Sequence, residues 1–115
     1  MSFAETTPQV RNKTKTITRR LGWLTLKAGD MIQPCLKCMG LKKGEKIQKV
    51  GKPVKILRVT RSRLDTITKS DVVKEGFPDW TKQQFITFFC KLNKCQPSTV
   101  VTRIRFKYTE DTQDE

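Results

Sequence analysis

Lys15-Thr16-Ile17-Thr18-Arg19-Arg20 sets three β-branched residues between cations. β-branched side chains favour the extended backbone, so the stretch reads as a strand. Successive strand side chains point to opposite faces. Lys15, Ile17 and Arg19 then share one side, and Thr16, Thr18 and Arg20 the other. A threonine hydroxyl held between cations at a strand end can bind a phosphate, meet a base edge or polarise a carbonyl. An edge strand with solvated charges is the plainer alternative.

Outward from this strand the chain alternates between strand and turn signals. Leu21-Gly22-Trp23-Leu24-Thr25-Leu26 is apolar with a glycine break, and Lys27-Ala28-Gly29-Asp30 reads as a turn. Met31 to Lys37 resumes as a strand. Gly40-Leu41-Lys42-Lys43-Gly44-Glu45-Lys46 is a basic loop whose spacing does not fit a Walker loop, so it reads as a basic hairpin tip. Val54 to Arg61 is a strand, apolar at Val54, Ile56, Leu57 and Val59. Thr68 caps a helix from Lys69 to Glu75, and Gly76 ends it. Thr81 and Gln84 form a capping box for a second helix. Its apolar face is Phe85, Phe88, Phe89 and Leu92, read as core rather than as a base-stacking surface. Val100 to Tyr108 closes the chain, with Thr102, Ile104, Phe106 and Tyr108 on a buried face and Arg103, Arg105 and Lys107 on a basic one. Residues 1–10 read as a flexible arm, 11–109 as one domain and 110–115 as an acidic tail. Four or five strands, with two short helices between the last two, predict an α+β fold built on a small β-barrel.

The 115 residues carry a net charge of +13 and suit a single core. The charge is local: residues 11–63 hold sixteen Lys or Arg against Asp30 and Glu45 alone. A focused positive field points to a polyanion, and nucleic acid, RNA above all, is the expected partner. The contact residues predicted are Lys13, Lys15, Arg19, Arg20, Lys42, Lys43, Lys46 and Arg61. No apolar run reaches the length of a membrane span, and the first residues carry no signal-peptide pattern, so a cytoplasmic protein without a membrane partner is expected.

Four cysteines form two spaced pairs, Cys35-x2-Cys38 and Cys90-x4-Cys95. Together they offer four thiolates for a structural zinc, although the second spacing is irregular. Small buried hydrophobes are the default reading, and a reducing cytoplasm argues against a disulfide. No cofactor is expected.

Around these residues the chain resembles the ASCH domain family, small barrels of the PUA-like superfold, over roughly residues 13–108. The family frame Gly-x-Lys-x-x-Glu-x-Arg falls on Lys13 to Arg20. Lys15 and Arg20 match; Lys13 stands for the glycine and Thr18 for the glutamate. One branch, bacterial amidohydrolases acting on N4-acetylcytidine, similarly reads Lys-Thr-Ile-Thr here. It also carries a Leu-Asp-Thr-x-Thr stretch, matched by Leu64 to Thr68, and a late helical glutamate, matched by Glu75. That resemblance implies Lys15, Thr18 and Glu75 as a catalytic set and an acylated nucleoside as substrate. The closing strand Val101 to Phe106 also resembles the family's, and Met39 to Glu45 resembles stretches found in phage-encoded proteins. Because some ASCH relatives cut RNA, ribonuclease activity is a third implication. The expectation is an RNA-binding domain first, an amidohydrolase second.

Overall fold

The computed structural model describes residues 1–36 and 48–109. Its centre is an antiparallel sheet of β1 (Ile17–Arg20), β2 (Met31–Ile32), β3 (Val54–Arg63) and β4 (Val100–Tyr108), in the order β1-β4-β3-β2. The sheet curls into a half-barrel, and the fold is the small α+β one expected. The helical layer enters between β3 and β4: a 3-10 turn at Leu64–Thr66, then α2 (Lys69–Lys74) and α3 (Lys82–Asn93). The helix signals act as the sequence predicts. The Thr68 hydroxyl accepts from the Asp71 N–H at 3.2 Å, and the Thr81–Gln84 capping box is complete. Gly76, with φ of 106°, takes the left-handed turn after α2. No helix among the described residues is long and apolar enough to cross a membrane.

Each face of the sheet has its own core. On the inner face Val54, Ile56, Ile104 and Phe106 pack against Phe3 and Val10. On the outer face Leu64, Ile67, Val72, Phe85, Phe89 and Val101 form a second cluster under the helices. β3 can contribute inward residues along its length only because its register breaks between Ile56 and Arg58, where Leu57 is the extra residue. Before the break the even positions pair inward, Ile56 with Phe106. After it Val59 pairs with Ile104, and Arg58 lies opposite Arg105.

Three local expectations change. Residues 1–10 are not an arm: a 3-10 turn at Ala4–Thr6 leads into α1 (Thr7–Arg11), with Phe3 and Val10 buried. Pro8 fits because the first helical turn needs no N–H from it, and the Thr7 hydroxyl donates to the Phe3 carbonyl at 2.8 Å. The strand expected from Met31 to Lys37 is only Met31–Ile32 within the described residues, and Pro34, which has no N–H to donate, follows it. On α3, Ile86 is buried while Leu92 is 50% exposed, because the helix packs through Phe85, Ile86 and Phe89. Lys42, Lys43, Lys46, Cys38 and the acidic tail lie outside the described residues.

Candidate functional site

Lys15 precedes β1 and is fixed through its backbone. Its N–H donates to the Gln9 carbonyl at 3.2 Å, and its carbonyl accepts from the Tyr108 hydroxyl. The next residue joins two layers: the Thr16 N–H donates to the Lys74 carbonyl at 2.8 Å, and the Thr16 carbonyl accepts from the Phe106 N–H at 3.0 Å. The end of α2 is thereby held against the start of β1. Lys15 Nζ donates to Glu75 Oε1 at 2.9 Å and to the Glu75 carbonyl at 2.8 Å, across sixty residues of sequence. Glu75 caps the C-terminus of α2, where carbonyl ends favour a cation.

Arg19 extends the network. Its Nη1 donates to Glu75 Oε2 at 3.1 Å and its Nη2 to Asp71 Oδ2 at 2.5 Å. Arg103 from β4 completes it, donating to Asp71 through Nε at 2.7 Å and through Nη2 at 3.3 Å. Thr18 Oγ1 accepts from Arg20 Nε at 3.1 Å, and the Arg20 guanidinium lies 4.7 Å from the centre of the Phe3 ring. Lys15, Thr18 and Glu75 are at most 3% exposed.

These groups line one cavity of about 300 Å³. Lys15, Thr18, Arg19, Arg20 and Glu75 give it a polar wall; Phe77, Phe88 and Leu92 are among its apolar lining. Residues 2–6 line it as well. Strict alternation would put Lys15 and Thr18 on opposite faces. The strand begins only at Ile17, so Lys15 is free of that alternation and both side chains reach the cavity.

Burial pushes the Lys15 ammonium below its ordinary range; the Glu75 charge and hydrogen bond oppose this, and Arg20 and Arg19 add to it. Burial likewise brings Arg20 down to about 10, still protonated at neutral pH. Partial burial works to raise Asp71, but the hydrogen bonds and charges of Arg103 and Arg19 prevail and hold it at about 2. Arg19 Nε is buried and has no partner among the described residues.

The other residues singled out in the sequence lie apart from this network. Lys13 is exposed, with a left-handed φ of 63°, a conformation suited to glycine. Arg61 is exposed, donates to Thr102 Oγ1 at 2.8 Å and lines a second cleft. Cys35 is disulfide-bonded, against the expectation of reduced cysteines, and so offers no thiolate. Cys90 and Cys95 are free, and burial together with a side-chain hydrogen bond to Cys95 pushes the Cys90 thiol up. No group of three or more metal-ligating side chains occurs among the described residues. Sequence reasoning missed Asp71 as a site residue and Arg103 as its partner. Arg103 sits on the basic face of β4 as predicted, but only the helical layer's position shows that this face meets Asp71.

No family model matches the sequence, and no curated protein matches it. Similarity appears among solved structures. A crystal structure of a protein from Enterococcus faecalis V583, assigned to the family DUF984, is 16% identical with a TM-score of 0.62, over 96% of this chain and 76% of that one. The ASCH domain from Lactobacillus crispatus JV V101 is 13% identical with a TM-score of 0.54, over 88% of this chain and 68% of that one. The half-barrel, its helical excursion and these likenesses together establish that the chain has an ASCH-like fold.

Proposed function

We propose that the cavity takes a nucleobase carrying an acyl amide, as in N4-acetylcytidine, and that Lys15, Thr18 and Glu75 hydrolyse that amide. The observation behind this reading is the convergence of Lys15 and Thr18 with Glu75, from sixty residues further along the chain, on one cavity at the lower end of ligand-pocket size. The cavity is also unlike a phosphate clamp. Lys15 and Arg19 are already bonded to carboxylates, so Arg20 is the one cation of the polar wall left without a carboxylate partner among the described residues. An aromatic lining opposite polar groups suits a flat heterocycle instead.

The residues divide the work as amide hydrolysis requires. Thr18 Oγ adds to the acyl carbon while Arg20 Nε, already directed at that oxygen, steadies the charge on it. The hydroxyl proton passes to the Lys15–Glu75 pair, in which burial works against the charge on the lysine. The carbonyl oxygen becomes an oxyanion, and Arg19 Nε is the unengaged donor that it would meet. Collapse of the intermediate breaks the C–N bond, and the pair returns the proton to the departing exocyclic nitrogen. Water then releases the acid from Thr18 by the reverse proton path.

The test is acetate release from N4-acetylcytidine. The wild type should turn over on the order of 1 per second or more, and Lys15→Ala and Thr18→Ala should abolish release. A wild type that releases no acetate would sink the hydrolase reading. A second reading, RNA binding, is favoured by the concentration of sixteen cations in residues 11–63. It needs a surface rather than this cavity.

A further inference from the structure

The helices cover only part of the outer sheet face. Along β4, Val101 is buried in the helical core and Arg103 reaches Asp71, but Arg105 and Lys107 beyond them are exposed. Directly across on β3, Arg58 pairs with Arg105 and Lys55 with Lys107. Both are exposed. Paired strand residues share a face, with Cα atoms about 5 Å apart, and residues two apart on one strand are about 7 Å apart. The result is a two-by-two grid of cations. None of the four makes an ion pair with a described residue. Like charges directly opposite oppose strand pairing, so the fold gains nothing from this arrangement.

A second observation lies beside the grid. Arg58 also lines a cleft of about 370 Å³ where the 23–28 loop meets the edge of β3, together with Trp23, Leu57 and Arg61 and, from the inner face, Val59 and Thr102. Trp23 is 39% exposed, although the indole is among the most apolar surfaces a chain can bury. Its φ is +56°, a strained conformation for a bulky side chain. The strained turn is anchored by Thr102 Oγ1, which donates to the Gly22 carbonyl.

We propose that single-stranded nucleic acid binds across the edge of β3, the phosphodiester chain on Lys55, Arg58, Arg105 and Lys107 and a base stacked on Trp23 in the cleft that Arg58 shares. A charged grid beside an exposed aromatic ring is what strand binding without sequence readout requires. A duplex keeps its bases inside and would leave the indole unused. The assignment is independent of the cavity chemistry, because none of these five residues lines that cavity.

Anisotropy of a fluorescein-labelled oligouridylate of about a dozen nucleotides tests it. Arg58→Glu/Lys107→Glu should weaken binding by about tenfold or more and lower the salt slope by about two. The pair should not lower the thermal midpoint, since each glutamate faces a cation in place of a like charge. Trp23→Leu, which keeps an apolar side chain but removes the ring, should weaken binding by about tenfold. Lys82→Glu/Lys91→Glu on α3 makes the same charge change elsewhere and should have little effect. The proposal is overturned if the control pair weakens binding as much as the grid pair, or if Trp23→Leu binds as the wild type does. It is equally overturned if duplex RNA or phosphatidylserine vesicles bind as tightly as the single strand. Acetate release from N4-acetylcytidine should be unchanged in the grid variant, so loss of one reading does not carry the other with it.

Discussion

Asp71 is the residue on which the charged network closes: it accepts from Arg19 and from Arg103 and belongs to a helix capped by the residue three before it. Replacing it with asparagine leaves Arg103 without its counter-charge and Arg19 with Glu75 alone, and stability should fall by about 3 kcal/mol. Its pH dependence has a definite sign. The folded-state value of about 2 lies below the ordinary 3.8, so the carboxylate stabilises the fold above about pH 4 and the contribution fades as pH falls toward 2. Chemical denaturation of wild type and Asp71→Asn should therefore give midpoints that converge over that interval. A constant gap would mean that Asp71 is not held as an ion pair. Thr18 and Lys15 could be singled out from sequence because their neighbours form a motif. Asp71 could not, because in a short capped helix an acidic residue in the first turn already has a local reason to be there.

Within α3 the aromatic residues serve two surfaces. Phe89 is buried in the outer core, whereas Phe88 is half-buried, packs edge-on to Phe77 and Trp80, and lines the cavity. Phe89→Ala should cost about 3–5 kcal/mol in a urea melt. Phe88→Ala should cost less, and should show itself as a raised KM for the acylated nucleoside. Equal stability losses would show that the two rings share one environment. The helices were legible in the sequence because Thr68, Thr81, Gln84 and Gly76 punctuate them, and β4 because its alternation is unbroken. The first eleven residues were not. Neither the 3-10 turn nor the five-residue α1 is long enough to show a period, and Phe3 is buried by a sheet formed from residues far along the chain. The contact between β1 and α2 was equally hidden, since β1 pairs with the last strand and reaches the helix only through that topology.

At the level of the whole molecule the two proposed activities make opposite use of charge. In the cavity Lys15 and Arg19 are paired with Glu75 and Asp71; on the open sheet face the four cations have no such partner among the described residues. Raising salt from about 50 to about 200 mM should therefore weaken oligouridylate binding linearly on logarithmic axes, while the KM for N4-acetylcytidine barely moves. A KM that climbs in parallel with the oligonucleotide's Kd would mean that one site serves both. The separation depends on the break at Leu57. Counting residues along β3, a regular ladder with Leu57 opposite Arg105 would set Arg58 opposite Ile104, in the inner core, and Val59 opposite Arg103, on the outer face. Loss of the bulge by a one-residue slip would leave the protein's charge and composition unaltered while turning half a strand inside out. The bulge in β3, as much as its composition, is thus what evolution or a designer must hold fixed to keep this surface basic.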